Sequence, residues 1–134
     1  MRRRLRTDQQ GAVALYAAVI MLALMATIGL VLDGGRKVAA LREATNIADN
    51  AARAGAQRID LDSARSGGPV TLDADAAIAA AAEYLTLVGR SGTAAVEGDT
   101  ITVTVSIAYD PVILPTAPRV VTATESAAAR VVEG

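Results

Sequence analysis

The residues able to do chemistry in this chain are acidic, basic or hydroxyl-bearing, because it contains neither histidine nor cysteine. That removes imidazole acid–base catalysis, thiolate nucleophiles, disulfides and the usual Cys/His zinc sites. Two close carboxylate pairs remain, Asp60 with Asp62 and Asp73 with Asp75. Paired carboxylates can divide acid and base roles, but no basic or hydroxyl set accompanies either pair in sequence. Each stands where a loop turns or a helix starts, so both read as turn and cap residues. "SGG" at Ser66–Gly68 lacks the lysine and the spacing of a phosphate loop, and "GDT" at Gly98–Thr100 reads as a turn. Three tyrosines are the only aromatics, too few for a platform that stacks single-stranded nucleic acid. The expectation is a non-enzyme without cofactor, bound metal or nucleic-acid partner.

The charges are segregated. Net charge is −1, yet the first ten residues hold Arg2, Arg3, Arg4 and Arg6 against Asp8 alone, while residues 33–134 hold nine basic and thirteen acidic side chains. Beside an apolar run, an arginine cluster reads as a topology signal rather than a nucleic-acid patch.

That run is residues 11–32, "GAVALYAAVIMLALMATIGLVL", uncharged throughout. As a helix it is ~33 Å long, which matches a ~30 Å hydrocarbon core. It exceeds a usual signal-peptide core and has no small-x-small cleavage site just after it. The reading is a retained, single-pass transmembrane helix in the cytoplasmic membrane, with residues 1–10 as a cytoplasmic basic tail. Arg36, Lys37 and Arg42 follow the span and make the charge asymmetry modest, but it still favours a cytoplasmic N-terminus and an extracytoplasmic C-terminal portion.

Residues 33–60 form a junction and a second helical stretch. Asp33, Gly34, Gly35 and Arg36 interrupt the pattern: two glycines in a helix interior cost about 1 kcal/mol each relative to alanine. They are either a solvated boundary or a structural junction that permits a bend or close helix contact, with Asp33 in reach of Arg36 or Lys37. Beyond them Val38, Leu41, Ala44, Ala48, Ala51, Gly55 and Ile59 recur at helical spacing. The alanine and glycine middle of this stripe buries little area but allows close backbone approach. It faces either the chain's own small domain or a partner; Ala44, Ala48, Ala51 and Gly55 are carried forward as a partner-helix face.

Residues 61–134 read as a small α+β domain. Gly67, Gly68 and Pro69 mark a loop over Leu61–Val70. Leu72–Gly89 reads as a helix capped by Asp73 or Asp75 and closed by Gly89, burying Ile78, Ala81, Ala82, Leu85 and Val88. The period then changes to two. "TAAVE", a turn at Gly98-Asp99, "TITVTVSIAY" and "RVVTATESAAARVV" read as three strands, with Ile101, Val103, Val105, Ile107 and Tyr109 inward on the second and Val121, Ala123, Ala127, Ala129 and Val131 on the third. The three-proline stretch "DPVILPTAP" connects the last two. The fold class is therefore α+β: an N-terminal transmembrane helix extended by an amphipathic helix, then a small helix with a three-stranded antiparallel sheet. Alanine at many inward positions makes a thin core, one that should depend on the long helix, on further copies or on other proteins.

The arginine-rich start, "DQQGAVALYAA", the Asp33-x-Gly35-Arg36 step and "LREATNIADNAARAGA" together resemble the amino-terminal segment of TadE/TadG-like proteins of the tight-adherence (Flp) pilus assembly system. Asn46, Ala48, Asp49, Ala51, Ala52 and Ala54–Ala56 fall on or near the family's helix pattern, and the resemblance covers about residues 8–57. It implies a membrane-anchored, pseudopilin-like or minor pilin-like protein that builds or exports a surface filament. Its implied partners are the lipid bilayer, other pilus-assembly or export membrane proteins and further copies of itself. It also implies Gly11–Ala12 as a candidate processing site. In TadE-type pseudopilins a peptidase cuts after the glycine and a glutamate stands five residues on; here that position is Tyr16, which puts cleavage and filament entry in doubt. The TadG-like branch commonly lacks that glutamate and is the closer match, although this chain has no room for the von Willebrand-type domain of its larger members. The alternatives are an accessory envelope protein with a scaffold role that never enters a filament, and a regulatory protein whose arginine tail contacts a cytoplasmic partner or anionic lipid.

Overall fold

The computed structural model of the chain describes residues 5–111 and 118–129, with side chains from residue 11 onward. Most of the basic tail, the middle of the proline-rich connection and the last five residues, including Val131, lie outside the described residues.

Helix α1, Leu5–Ala56, runs without interruption for 52 residues, straight through Asp33–Arg36. The span is thus extended by the second helix, and Asp33–Arg36 lie inside one continuous element. Two glycines cost about 2 kcal/mol together, but stopping a helix and nucleating another costs more, since each nucleus fixes several residues for one hydrogen bond. The helix ends at Ala56 rather than near Asp60, because Asp60 starts the next one. Its carboxylate accepts from the backbone N–H groups of Asp62 and Ser63 at 3.0 and 3.2 Å. The result is a one-turn helix, α2 (Leu61–Arg65), within the stretch expected to be loop. An isolated antiparallel bridge, Ile59 to Leu72, closes the base of that excursion.

Helix α3, Ala74–Leu87, starts on Asp73, whose carboxylate accepts from Ala76 N at 3.1 Å. Its buried face is Ala77, Ala80, Ala81 and Leu85, rotated from the expected one: Ile78 is 38% exposed, and Ala82 and Val88 are exposed as well. The contact with α1 explains the rotation. A Cβ added to Gly55 would lie 2.9 Å from the carbonyl oxygen of Ala77 and closer still to Ile101 Cδ1. At that separation an alanine face fits and an isoleucine would hold the helices apart.

Strands β1 (Gly92–Glu97), β2 (Thr100–Tyr109) and β3 (Arg119–Ala128) form an antiparallel sheet in the order β1-β2-β3. Gly98, at φ +61°, opens the two-residue turn between Glu97 and Thr100, where a type II′ hairpin needs glycine. Ile101, Val103, Val105 and Ile107 of β2 and Val121 and Ala123 of β3 are buried against α1 and α3. On the opposite face three cross-strand hydroxyl pairs, Thr102–Ser126, Thr104–Thr124 and Ser106–Thr122, each lie at 3.0 Å. Period-two alternation thus divides the sheet into an aliphatic side and a hydroxyl side. The fold is α+β with a long apolar N-terminal helix.

Candidate functional site: the two halves of α1

Helix α1 does two different jobs along its length. Over residues 11–32 its side chains stand almost entirely bare, and only 6% of its most apolar window is covered by the rest of the chain. The hydroxyl of Thr27 donates back to Ala23 O at 2.8 Å, so it needs no outside partner, as a hydroxyl in lipid requires. A bare apolar helix of this length fits a bilayer and is poorly suited to water. Gly11 and Ala12, the candidate processing site, lie within the helix and are exposed, and Tyr16 lies exposed five positions further on.

The second half is clamped by the domain. Ala40, Ala44, Ala48, Ala51 and Ala52 are buried, with Ala44, Ala48, Ala51 and Ala52 fully so, against β2, β3 and α3 of the same chain. This corrects the partner-helix expectation. Ala44, Ala48, Ala51 and Gly55 do form a close-approach seam, but the chain's own sheet and α3 occupy it. The pairing is a volume complement: β-branched residues from the sheet fill the space that alanines leave on the helix, so a narrow stripe buries a dense core. Val38 and Leu41, at the start of the expected stripe, are exposed instead, while Ile59, at its end, is half-buried.

Between the halves lies the exit step. Asp33 is half-buried and is not a free carboxylate. Gly34 and Gly35 have open space where side chains would be, so no close contact forms there among the described residues. Arg36 donates from Nη1 to Asp110 O, 3.3 Å away at the end of β2. Seven residues further along α1, Glu43 forms an ion pair with Arg90, just beyond α3. These ties span 74 and 47 residues of sequence, and no local pattern announces them. The carboxylates weighed for catalysis include the two helix caps, Asp60 and Asp73; a carboxylate held by backbone N–H groups is engaged in structure.

The arrangement suits a membrane-anchored protein: one long helix is bare and apolar at one end and serves as the spine of a small α+β domain at the other. Residues 11–58 match the Tad family model, Flp pilus-assembly TadE/G-like. Over that helix the chain is similar to TadE/G-like proteins, at the Asp33-x-Gly35-Arg36 step and along the alanine-rich stretch, and the match supports involvement in Flp/Tad pilus assembly. No curated protein and no solved structure matches the chain. The matched segment begins with the apolar run and ends two residues beyond α1.

Proposed function

We propose that this protein is a pseudopilin-like or minor pilin-like component of Flp/Tad-type pilus assembly or export, anchored in the cytoplasmic membrane by residues 11–32 with its domain outside. It acts by packing against partner subunits and carries out no catalysis. The observation that carries this reading is the continuous helix α1, which lies within a TadE/G-like match for nearly all its length and leaves its apolar half uncovered. Since the chain's own domain covers the alanine seam, the helix surface offered to partners is the bare span and its continuation through Gly34, Gly35, Val38 and Leu41. Deleting the protein from a cell that makes Flp pili should abolish or sharply reduce surface filaments, and restoring it should recover them. Unchanged filaments would overturn the reading.

A second reading is favoured by Tyr16, which stands where a processed pseudopilin is expected to carry glutamate. Under it the protein is an accessory, single-pass scaffold of the assembly machine and stays in the membrane. Mass spectrometry of purified filaments separates the two: the chain is present in the first case and absent in the second.

A further inference from the structure

The apolar span and the folded half of α1 meet with almost no spacer. Leu32 ends the uncharged run, and Arg36 already contacts Asp110 of the domain. Four residues of helix rise only about 6 Å. A bilayer ~40–45 Å thick around a ~30 Å hydrocarbon core has a headgroup layer about 5–8 Å deep on each side. With residues 11–32 filling the core, this end of the domain rests at the headgroup boundary.

The domain is polarised to match. Its near end presents Arg36 and Lys37, both exposed on α1, and Arg119, exposed where β3 begins opposite Tyr109. Arg36 and Arg90 also line a groove of about 380 Å³ between α1 and the end of β2. The acidic groups here are Asp33, Glu43 and Asp110; Asp33 and Glu43 are already engaged, Glu43 with Arg90. The residues between Pro111 and Pro118 carry no charge. The far end, around the close of α1 and the β1–β2 turn, gathers Asp60, Asp62, Asp73, Asp75, Glu97 and Asp99 against Arg58 and Arg65, and so is acidic on balance. Long arginine and lysine side chains reach outward past short carboxylates, and each basic group near an anionic bilayer is attracted to it.

We propose that the near end of the domain, through Arg36, Lys37 and Arg119, binds the phosphate headgroups of an anionic bilayer and holds the domain down on the membrane. The acidic far end is repelled and points away. This rests on residues 11–32 being a membrane span, and the experiment tests that separately.

The chain has no cysteine, so single-cysteine spin labels are clean probes. The full chain is placed in lipid discs of phosphatidylcholine alone, or of equal parts phosphatidylcholine and phosphatidylglycerol, doped with a lipid carrying a paramagnetic ion on its headgroup. Labels go at Val120→Cys, near the membrane, and Glu97→Cys, at the far end; a third, Leu22→Cys, reports on the span. Relaxation at position 120 should exceed that at position 97 several-fold, and anionic lipid should strengthen it. The combined Arg36→Gln, Lys37→Gln and Arg119→Gln variant should return it to the phosphatidylcholine level, with circular dichroism unchanged. A water-accessible label at position 22 would overturn both the span and the surface built on it. A lipid-protected position 22 with equal signals at 120 and 97, or with no response to anionic lipid or to the triple variant, would overturn the headgroup surface alone.

Discussion

Gly55 and Ala77 bring α1 and α3 together backbone to backbone: a Cβ on Gly55 would sit 2.9 Å from Ala77 O. This approach lies in a seam in which alanines on two helices meet and the sheet supplies the bulk. The consequence for mutation differs from that of a surface stripe awaiting a partner. Larger side chains here should break the chain's own domain before they disturb any association.

Gly55→Val and Ala48→Leu should each destabilise the domain by about 1–3 kcal/mol, the usual cost of overpacking a core. Urea unfolding of the detergent-solubilised protein, followed by circular dichroism, measures this. Arg53→Leu is the control: Arg53 is exposed and, among the described residues, pairs only with Asp49, at 2.9 Å one turn away, so its loss should cost about 0.5 kcal/mol or less. If Ala48→Leu unfolds at the same urea concentration as the unsubstituted protein, the sheet does not cover that face.

Gly34→Ala and Gly35→Ala should have the opposite sign. Among the described residues nothing lies within 4 Å of either added Cβ, so each change should stabilise the helix by about 1 kcal/mol through propensity alone. Glycines that weaken a helix and bring no contact with the described residues are expected to serve a contact outside the chain. The double variant should therefore be more stable in solution yet support fewer pili in cells. Normal pilus numbers would make the glycines incidental.

Topology gives a third test. A reporter active only in the cytoplasm should be silent when fused after Gly134, and one active only outside it should work. The reverse pattern would place the domain in the cytoplasm and remove the assembly role proposed for it.

Processing gives the fourth. With Tyr16 in place of the expected glutamate, the chain should keep the residues before Gly11 in cells with an active prepilin peptidase. Intact-mass measurement on the membrane-extracted protein decides it, and a mass beginning at Ala12 would refute the expectation.

Local signals set much of this molecule. The uncharged run from Gly11 to Leu32, the period-two alternation from Thr100 to Tyr109, the cap residue Asp73 and the turn glycine Gly98 each act through neighbours in sequence, so each is legible there. Helical spacing also placed Ala44, Ala48, Ala51 and Gly55 on one face. What covers that face was a tertiary decision, because periodicity states which residues point the same way and carries no information about what they meet. The same limit hid the rotation of α3, whose sequence offers two apolar faces; the close approach at Gly55 selected the alanine face over the one bearing Ile78. It also hid the ties from Arg36 to Asp110 and from Glu43 to Arg90, which exist only once the sheet folds back along the helix. The continuity of α1 through Gly34 and Gly35, by contrast, follows from the helical pattern on both sides, which outweighs the cost of two glycines.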